Sequence, residues 1–522
     1  MSTVHARVFR NSYRDSVELM QIAAEIESLA GVDRAGLVMA TPANREVLAA
    51  AGLLSDAAAS AGPNDLVVAV AAREASVALK MLEWAAARLS GPGTDGRSEA
   101  TATETRTIAE GLVELGTANL ALISTPGTYA MAEAVKALKR GLNVFLFSDN
   151  VTVEDEIELK SLARDRGLLV MGPDCGTAIL DGVPLGFANA IRRGKIGLVG
   201  ASGTGLQQVS CLIDRYGAGV SQAIGVGGRD LDERVGGTMM LAALERLAAD
   251  PGTELIVLIS KPPSASVTQR VLEAARVAGK PVIVNFLGGD PVVVSEAGSI
   301  PAATFEAAAR IASSMALGQA VPPEDGLDGV PSGDGVGPGT DDGLTVVRAA
   351  QAGLDRGQWQ IRGLYSGGSL AGEAKLVLRA SLGPDAAQRH QIIDLGDDEY
   401  TVGRPHPMID PRLRNEHIAM AAADPATAVI LLDVVLGYGA NADPAGALGG
   451  AIDTARADAA RDGRRFAVVA SVCGTRNDPQ DLDAQEARLA EAGVILAMSN
   501  ARAAWLAGRI VAPATVAAGD RG

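Results

Sequence analysis

Short runs of β-branched and aliphatic residues recur along this chain, and each run is followed by small turn residues and a segment with helical periodicity. Ile196–Val199, Leu255–Ile259 and Val282–Phe286 are examples of such runs. This alternation is typical of βα units, in which helices cover buried parallel strands. It predicts an α/β protein built from doubly wound parallel sheets.

The 522 residues are enough for two or three domains. We predict a first α/β domain over residues 1–190, a flavodoxin-like domain over 191–320, a disordered linker over 321–343 and a second flavodoxin-like domain over 344–522. The linker prediction rests on VPPEDGLDGVPSGDGVGPGTDDG, which consists mostly of Gly, Pro, Asp and Glu. The two flavodoxin-like segments share one rhythm of strands and turns, which indicates related domains.

The amino-acid composition argues against some classes of binding partner and cellular location. The formal net charge of −16 and the pI near 4.9 disfavour nucleic acid, because phosphate would be repelled, and aromatic residues make up only 3%. The sequence begins without an apolar signal core and has no apolar run long enough to span a membrane, so we expect a cytoplasmic protein. Its three cysteines lack paired spacing, and we predict no disulfide and no metal site.

A glycine-rich turn follows the first strand of each flavodoxin-like segment. In the first segment the turn contains Ser202, Gly203, Thr204 and Gly205, and a helix follows it. Such a turn directs backbone N–H groups and the positive end of the helix dipole towards an anion. The spacing matches neither GxGxxG nor the Walker motif, so it does not predict a nucleotide site. A tight turn with a serine cap explains the same residues equally well.

The second segment has a similar glycine-rich turn, which follows the strand Ile361–Tyr365 and contains Gly367, Gly368 and Ser369. One such turn is weak evidence of a ligand. Two turns at the same point of two related domains predict an anion pocket between facing helix termini.

Several of these motifs carry a family resemblance. The stretch from STPGTYAMAEAVKALKRGLNVFLFSDN to GPDCGTAIL, together with GKIGLVGASGTG and the stretch from GTELIVLISKPPS to GKPVIVNFLGG, resembles the succinyl-CoA synthetase α subunit. The third domain resembles the carboxyl-terminal domain of the synthetase β subunit. GRPHPMIDPRLR and SVCGTRNDPQD are similar to the FdrA-type branch of this superfamily.

The resemblance implies that residues 1–190 form a Rossmann-like CoA-binding-type domain and that two ligase-type domains follow. It implies that the two glycine-rich turns hold phosphate. It also implies a CoA cleft, which would be bordered by Thr41, Asn44, Thr125 and Gly127. A simpler explanation of these four residues is that they form ordinary turns between a strand and a helix. The resemblance therefore allows CoA as a ligand of this protein, but we predict that the protein requires no cofactor.

Two departures argue against the synthetase reaction. The synthetases phosphorylate a histidine after the last strand of the second domain, but residues 6–389 of this chain contain none. The family's glutamate that steadies that histidine corresponds to Lys261, a cation suited to an anionic substrate. The chain also has no recognisable ATP-grasp domain.

The resemblance to FdrA-type proteins implies a subunit of a carbamoyltransferase of ureide breakdown, which interconverts oxalurate plus phosphate with oxamate plus carbamoyl phosphate. Lys261 and His406 are the candidate catalytic residues, and the two turns would hold the phosphate. We expect companion subunits and self-association. An acyl-CoA synthetase subunit is the alternative, and a non-catalytic metabolite-binding scaffold is a third.

Other polar residues have plainer explanations. Cys175 and Cys473 follow strands, but no histidine lies near either in sequence, which favours buried structural thiols. A packed loop position is an alternative role for His406. A further set of acidic side chains could bind Mg²⁺ or form an exposed loop; it consists of Asp394, Asp397, Asp398 and Glu399.

Overall fold

The computed structural model describes residues 3–14, 16–27, 29–90, 105–321, 343–401 and 405–512. The strands of these residues form four sheets, two of which are flavodoxin-like. The α/β fold class predicted from the sequence is confirmed. Residues 322–342, which make up nearly all of the predicted linker, lie outside the described residues.

The first sheet is antiparallel, whereas the sequence predicts parallel strands here. Its elements are β1 (Thr3–Phe9), α1 (Ser16–Glu27), β2 (Val32–Met39), α2 (Pro42–Ala50), α3 (Asp56–Ala59), β3 (Leu66–Ala72) and α4 (Ala75–Ser90). The strand order is β1–β3–β2. Helices α1 and α4 pack on one face, and α2 and α3 on the other. Because β3 is buried on both faces, it lacks alternation and resembles a parallel strand in sequence.

A small parallel sheet follows the antiparallel one. Its elements are α5 (Ile108–Leu115), β4 (Leu120–Ile123), α6 (Gly127–Leu138), β5 (Asn143–Leu146), α7 (Val153–Asp165) and β6 (Val170–Met171). The strands are hydrogen-bonded in chain order. Residues 1–190 therefore contain two complete sheets rather than one, and residues 177–186 supply strands to a third.

The middle domain has the strand order of a flavodoxin-like sheet, with a hairpin added at one edge. Its elements are β7 (Thr177–Leu180), β8 (Val183–Gly186), β9 (Arg193–Gly200), α8 (Gly203–Arg215), β10 (Val220–Gly225), α9 (Thr238–Ala249), β11 (Leu255–Ser260), α10 (Ala265–Arg276), β12 (Val282–Phe286), α11 (Pro291–Glu296), β13 (Ile300–Pro301) and α12 (Phe305–Ala316). The parallel strands lie in the order β13–β12–β11–β9–β10, and the β7–β8 hairpin pairs with β10.

The last domain repeats this arrangement. Its elements are α13 (Gly343–Ala352), β14 (Gln360–Tyr365), α14 (Gly368–Leu382), α15 (Pro384–Ala387), β15 (Gln391–Asp394), α16 (Asp398–Thr401), α17 (Arg412–Ala423), β16 (Thr427–Val435), α18 (Pro444–Arg461), β17 (Ala467–Cys473), α19 (Leu482–Glu491), β18 (Ile495–Ala497) and α20 (Asn500–Val511). The strand order β15–β14–β16–β17–β18 is the flavodoxin-like order 2-1-3-4-5. In such sheets ligands bind beyond the carboxyl ends of the strands.

The two flavodoxin-like domains share one hydrophobic core. Helices α8 and α12 of the middle domain pack against α14 and α20 of the last domain, so these four helices lie between the two sheets. Leu206, Phe305, Leu370 and Ala504 are among the buried residues of this core. The packing fixes the orientation of one domain relative to the other.

A buried ion pair crosses this interface. Arg502 of α20 donates from Nε and Nη2 to Glu306 Oε1 of α12 at 2.8 and 2.6 Å, and Ser499 Oγ donates to Glu306 Oε2 at 2.5 Å. Both charged side chains are less than 10% exposed. A buried charge that loses its partner is costly, so this pair fixes the register of α12 against α20.

Replacing one member of the pair should destabilise the protein strongly. We expect Arg502→Leu to lower the free energy of unfolding by about 3–5 kcal/mol, because Glu306 is left buried and unpaired. Urea denaturation followed by fluorescence of Trp505, which lies on the same helix, measures the effect. Glu306→Leu combined with Arg502→Leu should cost less than the sum of the single variants. Arg276→Leu, which removes an exposed pair with Glu273, is the matched control and should leave the midpoint unchanged.

Candidate functional site

The amino terminus of α8 contributes the first half of the candidate site. Strand β9 ends at Gly200, and Ser202 caps the helix by accepting a hydrogen bond from Gly205 N–H at 2.9 Å. Gly203 and Thr204 are partly exposed and occupy the first two helical positions, where N–H groups have no acceptor within the helix. These two N–H groups, together with the helix dipole, favour an anion.

The amino terminus of α14 contributes the second half. Its cap residue, Gly367, makes no side-chain capping bond. The preceding turn is held by the buried Asp433 of β16, which accepts the N–H groups of Ser366 and Gly367 at 2.8 Å each. The buried Arg414 of α17 donates to Asp433 Oδ1 at 2.9 Å. The Asp433–Arg414 pair holds the backbone of this turn in place. The conformation of the turn therefore depends on residues outside the glycine-rich motif.

The structure brings the two helix termini into direct contact. Ser202 Oγ donates to Ser369 Oγ at 2.6 Å, and a Cβ at Gly367 would lie only 2.8 Å from Thr204 Cγ2. All seven residues predicted to hold phosphate therefore belong to one place in the fold. Both serines are less than 10% exposed, while Gly203, Thr204 and Gly368 are half-buried. An anion would therefore approach the free N–H groups from the open side of the serine pair.

Residues from the hairpin and from the loop before α17 surround this contact. A Cβ at Gly203 would lie 3.3 Å from Thr177 Oγ1, and Thr177 donates to the carbonyl of Phe187 at 2.7 Å. The Phe187 ring centroid lies 6.1 Å from that of His406. The structure therefore places His406 beside the predicted phosphate site, although it is more than 200 residues from Ser202 in sequence.

Asp394 completes the enclosure at the carboxyl end of β15. A Cβ at Gly368 would collide with Asp394 Oδ2, and a Cβ at Gly396 would lie 3.2 Å from Asp394 Oδ1 and 2.6 Å from His406 Nε2. Burial raises the pKa of Asp394, and the nearby charge of Asp433 raises it further. The sequence interpretation treats Asp394 as part of an acidic set that binds Mg²⁺ or forms an exposed loop; its position at the end of a strand was the available signal of a site residue.

Lys261 follows β11 and is exposed. Its charge lowers the pKa of Asp394, so the ammonium group lies within electrostatic range of that carboxyl group. Asp397 and Glu399 are exposed, the Asp398 side chain lies outside the described residues, and the described residues contain no group of three metal-ligating side chains.

His406 is held as a neutral hydrogen-bond donor. Its Nδ1 accepts the N–H of Met408 at 3.2 Å, so the proton of the neutral ring lies on Nε2, which is directed towards Gly396. Burial lowers the pKa of His406 to about 4, and the charge of Arg414 acts in the same direction. At neutral pH this side chain can donate a hydrogen bond from Nε2 to a substrate oxygen.

The cysteines are not positioned as nucleophiles. Cys175 is buried, and burial raises the pKa of its thiol to about 12. Cys473 is also buried, and its Sγ lies 4.0 Å from Cys211 Sγ across the interface of the two flavodoxin-like domains.

The four residues of the implied CoA cleft lie on two sheets. Thr41 accepts the N–H of Asn44 at 3.2 Å, and Asn44 donates to the carbonyl of Met39 at 2.8 Å, so both side chains are used within the first sheet and its helix. Gly127 begins α6, beside the second sheet, where a Cβ would collide with the Asp149 carbonyl. Of these four residues, Thr125 alone has a buried hydroxyl that makes no hydrogen bond within the described part of the chain. These residues therefore do not fit CoA as a set.

A cavity of about 880 Å³ lies beside α10 and α11 in the middle domain. Pro262, Pro263, Phe286 and Gly288 are among its lining residues. None of the residues predicted to hold phosphate lines it, so this cavity is separate from the contact of the two helix termini.

Three family models match the chain. A model described as CoA-ligase matches residues 364–510, a CoA binding domain matches 191–289, and a model described as AllF, heavy metal-associated domain, matches 1–107. The CoA-binding match falls on the predicted first flavodoxin-like domain, whereas the sequence interpretation places that type of domain in residues 1–190. Residues 1–107 contain no cysteine and one histidine, His5, so they do not offer the ligands of a soft metal ion.

Curated relatives agree with these models. The Escherichia coli K12 protein YahF is 41% identical over 513 residues, which cover 95% of this chain and 96% of YahF. The α subunit of the ADP-forming succinate–CoA ligase of Aquifex aeolicus is 32% identical over 161 residues, which cover 30% of this chain and 51% of that subunit.

Solved structures are more distant. An ATP citrate lyase of Methanothrix soehngenii is 17% identical and has a TM-score of 0.36, with 42% of this chain and 43% of that one covered. PH0766 of Pyrococcus horikoshii is 15% identical with a TM-score of 0.32, over 75% of this chain and 83% of that one. Scores this low carry no argument about function. Among the described helices, none combines the length and apolar character needed to cross a membrane.

The state of His406 can be tested by NMR. Because its pKa in the folded protein is about 4, we expect its imidazole signal to remain that of a neutral Nε2–H ring from pH 8 to pH 5. The signal is assigned by its loss in His406→Asn, a variant whose side-chain oxygen can still accept the Met408 N–H. A signal that titrates near pH 6.5 would contradict the assignment.

The same residue predicts a pH dependence of stability. The unfolded chain protonates His406 near pH 6.5 and the folded chain near pH 4, so between these values the unfolded state binds more protons. The His406 contribution to stability is therefore present above pH 6.5 and is lost as the pH falls to 4. Denaturation at several pH values should show a smaller loss for His406→Asn than for the wild type, and equal losses would contradict the prediction.

Proposed function

Because the chain belongs to the FdrA-type family of the succinyl-CoA synthetase superfamily, we propose that it is a subunit of a carbamoyltransferase. In the proposed reaction phosphate attacks the carbamoyl carbon of oxalurate and gives carbamoyl phosphate and oxamate. The proposal combines the family membership with a site that has retained phosphate-binding helix termini and lost the means of phosphorylating a histidine.

The observation that carries the proposal is the contact between the termini of α8 and α14. The amino termini of two helices meet there, and the N–H groups of Gly203, Thr204, Gly368 and Ser369 have no acceptor within their own helices. Residues 6–389 contain no histidine, so the loop after β12 cannot form the phosphohistidine of the synthetases. Such a site suits a reaction in which phosphate itself is the nucleophile.

Atoms and protons balance without a cofactor. An oxygen of HPO₄²⁻ forms a bond to the carbamoyl carbon, the bond between this carbon and the oxalyl amide nitrogen breaks, and the phosphate proton ends on that nitrogen. The site would accelerate this step by positioning phosphate and stabilising negative charge. His406 Nε2–H would donate to the carbamoyl oxygen as charge develops on it.

Lys261 is proposed to bind the second anionic group. Oxalurate carries a carboxylate, and the exposed ammonium at the end of β11 lies on the same edge of the middle domain as the α8 terminus. Charge pairing between this ammonium and the carboxylate would orient the substrate for attack. Lys261→Met should therefore raise the KM for oxalurate more than that for phosphate, measured by steady-state kinetics.

Companion subunits are part of the proposal. The purified chain, alone and with the proteins encoded beside it, is mixed with oxalurate and phosphate, and carbamoyl phosphate is measured. We expect carbamoyl phosphate only when the companions are present. Its absence from every combination would contradict the proposal.

A charge placed at the helix contact tests the site itself. Ser369→Asp keeps a side chain that suits a helix amino terminus but adds a negative charge beside the anion, so phosphate affinity in calorimetry should fall about tenfold or more. Thr152→Asp, at the exposed cap of α7, adds the same charge away from the site and should leave the affinity unchanged. Equal affinities in the two variants would contradict the location of the site.

An acyl-CoA synthetase subunit is the second candidate, favoured by the CoA binding and CoA-ligase family matches. On this reading a partner chain would supply the phosphohistidine and the nucleotide-binding domain. Micromolar binding of CoA in calorimetry, together with acyl-CoA formation in the presence of companions and ATP, would favour this candidate over carbamoyl transfer.

A further inference from the structure

We propose that Asp394 carries the proton that must move from phosphate to the departing nitrogen during carbamoyl transfer. This inference rests on the proposed function and gives Asp394 a role different from the Mg²⁺ ligand or exposed loop residue that the sequence analysis considers.

The position of the carboxyl group is the first argument. Asp394 ends β15 and pairs with Tyr365 at the end of β14, directly before the turn that starts α14. Its Oδ2 lies so close to Gly368 that a Cβ there would collide with it, and its Oδ1 accepts the Gly396 N–H at 3.0 Å. Asp394 Oδ2 therefore faces the helix end at which an anion would bind.

The charges around Asp394 are the second argument. Two carboxylates lie near it, Asp433 on β16 and Asp397 in the loop that follows β15. Lys261 of the middle domain also acts on it, and the neutral His406 lies on the other side of Gly396. Arg414 is already paired with Asp433. Burial and the two carboxylates favour the protonated acid, whereas the Gly396 N–H and Lys261 favour the carboxylate, and the balance raises the pKa of Asp394.

Electrostatics then links this carboxyl group to phosphate. An ionised carboxylate beside a phosphate dianion would be repelled unless one proton lay between them. A carboxyl group that retains a proton more readily than usual meets this condition. As the phosphate oxygen bonds to the carbamoyl carbon its proton becomes acidic, and such a carboxyl group can then accept this proton and release one to a neighbouring atom.

The proposed step conserves atoms and charge. As the phosphate oxygen bonds to the carbamoyl carbon, its proton passes to one oxygen of Asp394, and the amide nitrogen of the leaving oxamate receives a proton from the carboxyl group. Asp394 ends in the protonation state in which it began. In the reverse direction the same group would take a proton from oxamate and return it to phosphate.

The test uses Asp394→Asn and Asp394→Glu in the full chain, assayed with the companion subunits. We expect Asp394→Asn to lower kcat for carbamoyl phosphate formation by about 10²–10⁴-fold, to retain phosphate binding in calorimetry, and to lose one limb of the pH profile of kcat. Asp394→Glu should recover part of kcat. Glu399→Gln removes an exposed carboxylate of the same loop that has no part in the argument for Asp394 and should leave kcat within about twofold of the wild type.

Three results would overturn the inference. The first is Asp394→Asn with wild-type kcat and pH profile; the second is a kcat loss explained by lost phosphate binding or a lowered thermal midpoint; the third is no recovery in Asp394→Glu. A wild-type protein that is inactive with every companion would instead contradict the proposed function, so the two failures are distinguishable.

Discussion

The burial of four helices between two sheets is the constraint on which the candidate site depends. Helices α8, α12, α14 and α20 form one apolar layer shared by the flavodoxin-like domains. Because this layer excludes water, the domains cannot separate without exposing it. As a consequence the amino termini of α8 and α14 are held against each other, and Ser202 Oγ donates a hydrogen bond to Ser369 Oγ.

The buried polar groups of the last domain support this arrangement. Asp433 uses both oxygens to hold the turn before α14, and Arg414 neutralises it. The site therefore keeps two carboxyl groups near an anion-binding point without two exposed negative charges: Asp433 is paired, and the pKa of Asp394 is raised. Backbone N–H groups and a carboxyl group whose pKa is raised are the groups on which the proposed carbamoyl transfer to phosphate depends.

The sequence predicts the repeated domains well because their strands are buried on both faces and their turns are rich in glycine. The predicted strand Val282–Phe286 agrees with β12, and the predicted strand Ile361–Tyr365 agrees with β14 to within one residue. The antiparallel pairing of the first sheet was not predicted, because the local pattern of apolar residues does not show the direction of a strand relative to its neighbours. That direction depends on pairing between distant residues. The pairing of β1 with β3 joins segments about 60 residues apart.

The site shows the same limit. The glycine turns containing Ser202 and Ser369 are visible in sequence because their function lies in local backbone geometry. The contacts that Asp394, Phe187 and Arg414 make at the site join distant segments of the chain, and the local sequence does not record these contacts. A candidate phosphate site could therefore be proposed from the sequence, whereas the role proposed for Asp394 required the packed structure.

The most direct measurement is a crystal structure of the chain with inorganic phosphate. The account predicts phosphate density at the open side of the Ser202–Ser369 pair, within hydrogen-bonding distance of the backbone N–H groups of Gly203 and Gly368 and next to the Asp394 carboxyl group. Density for phosphate elsewhere, with these N–H groups bound only to water at saturating phosphate, would contradict it.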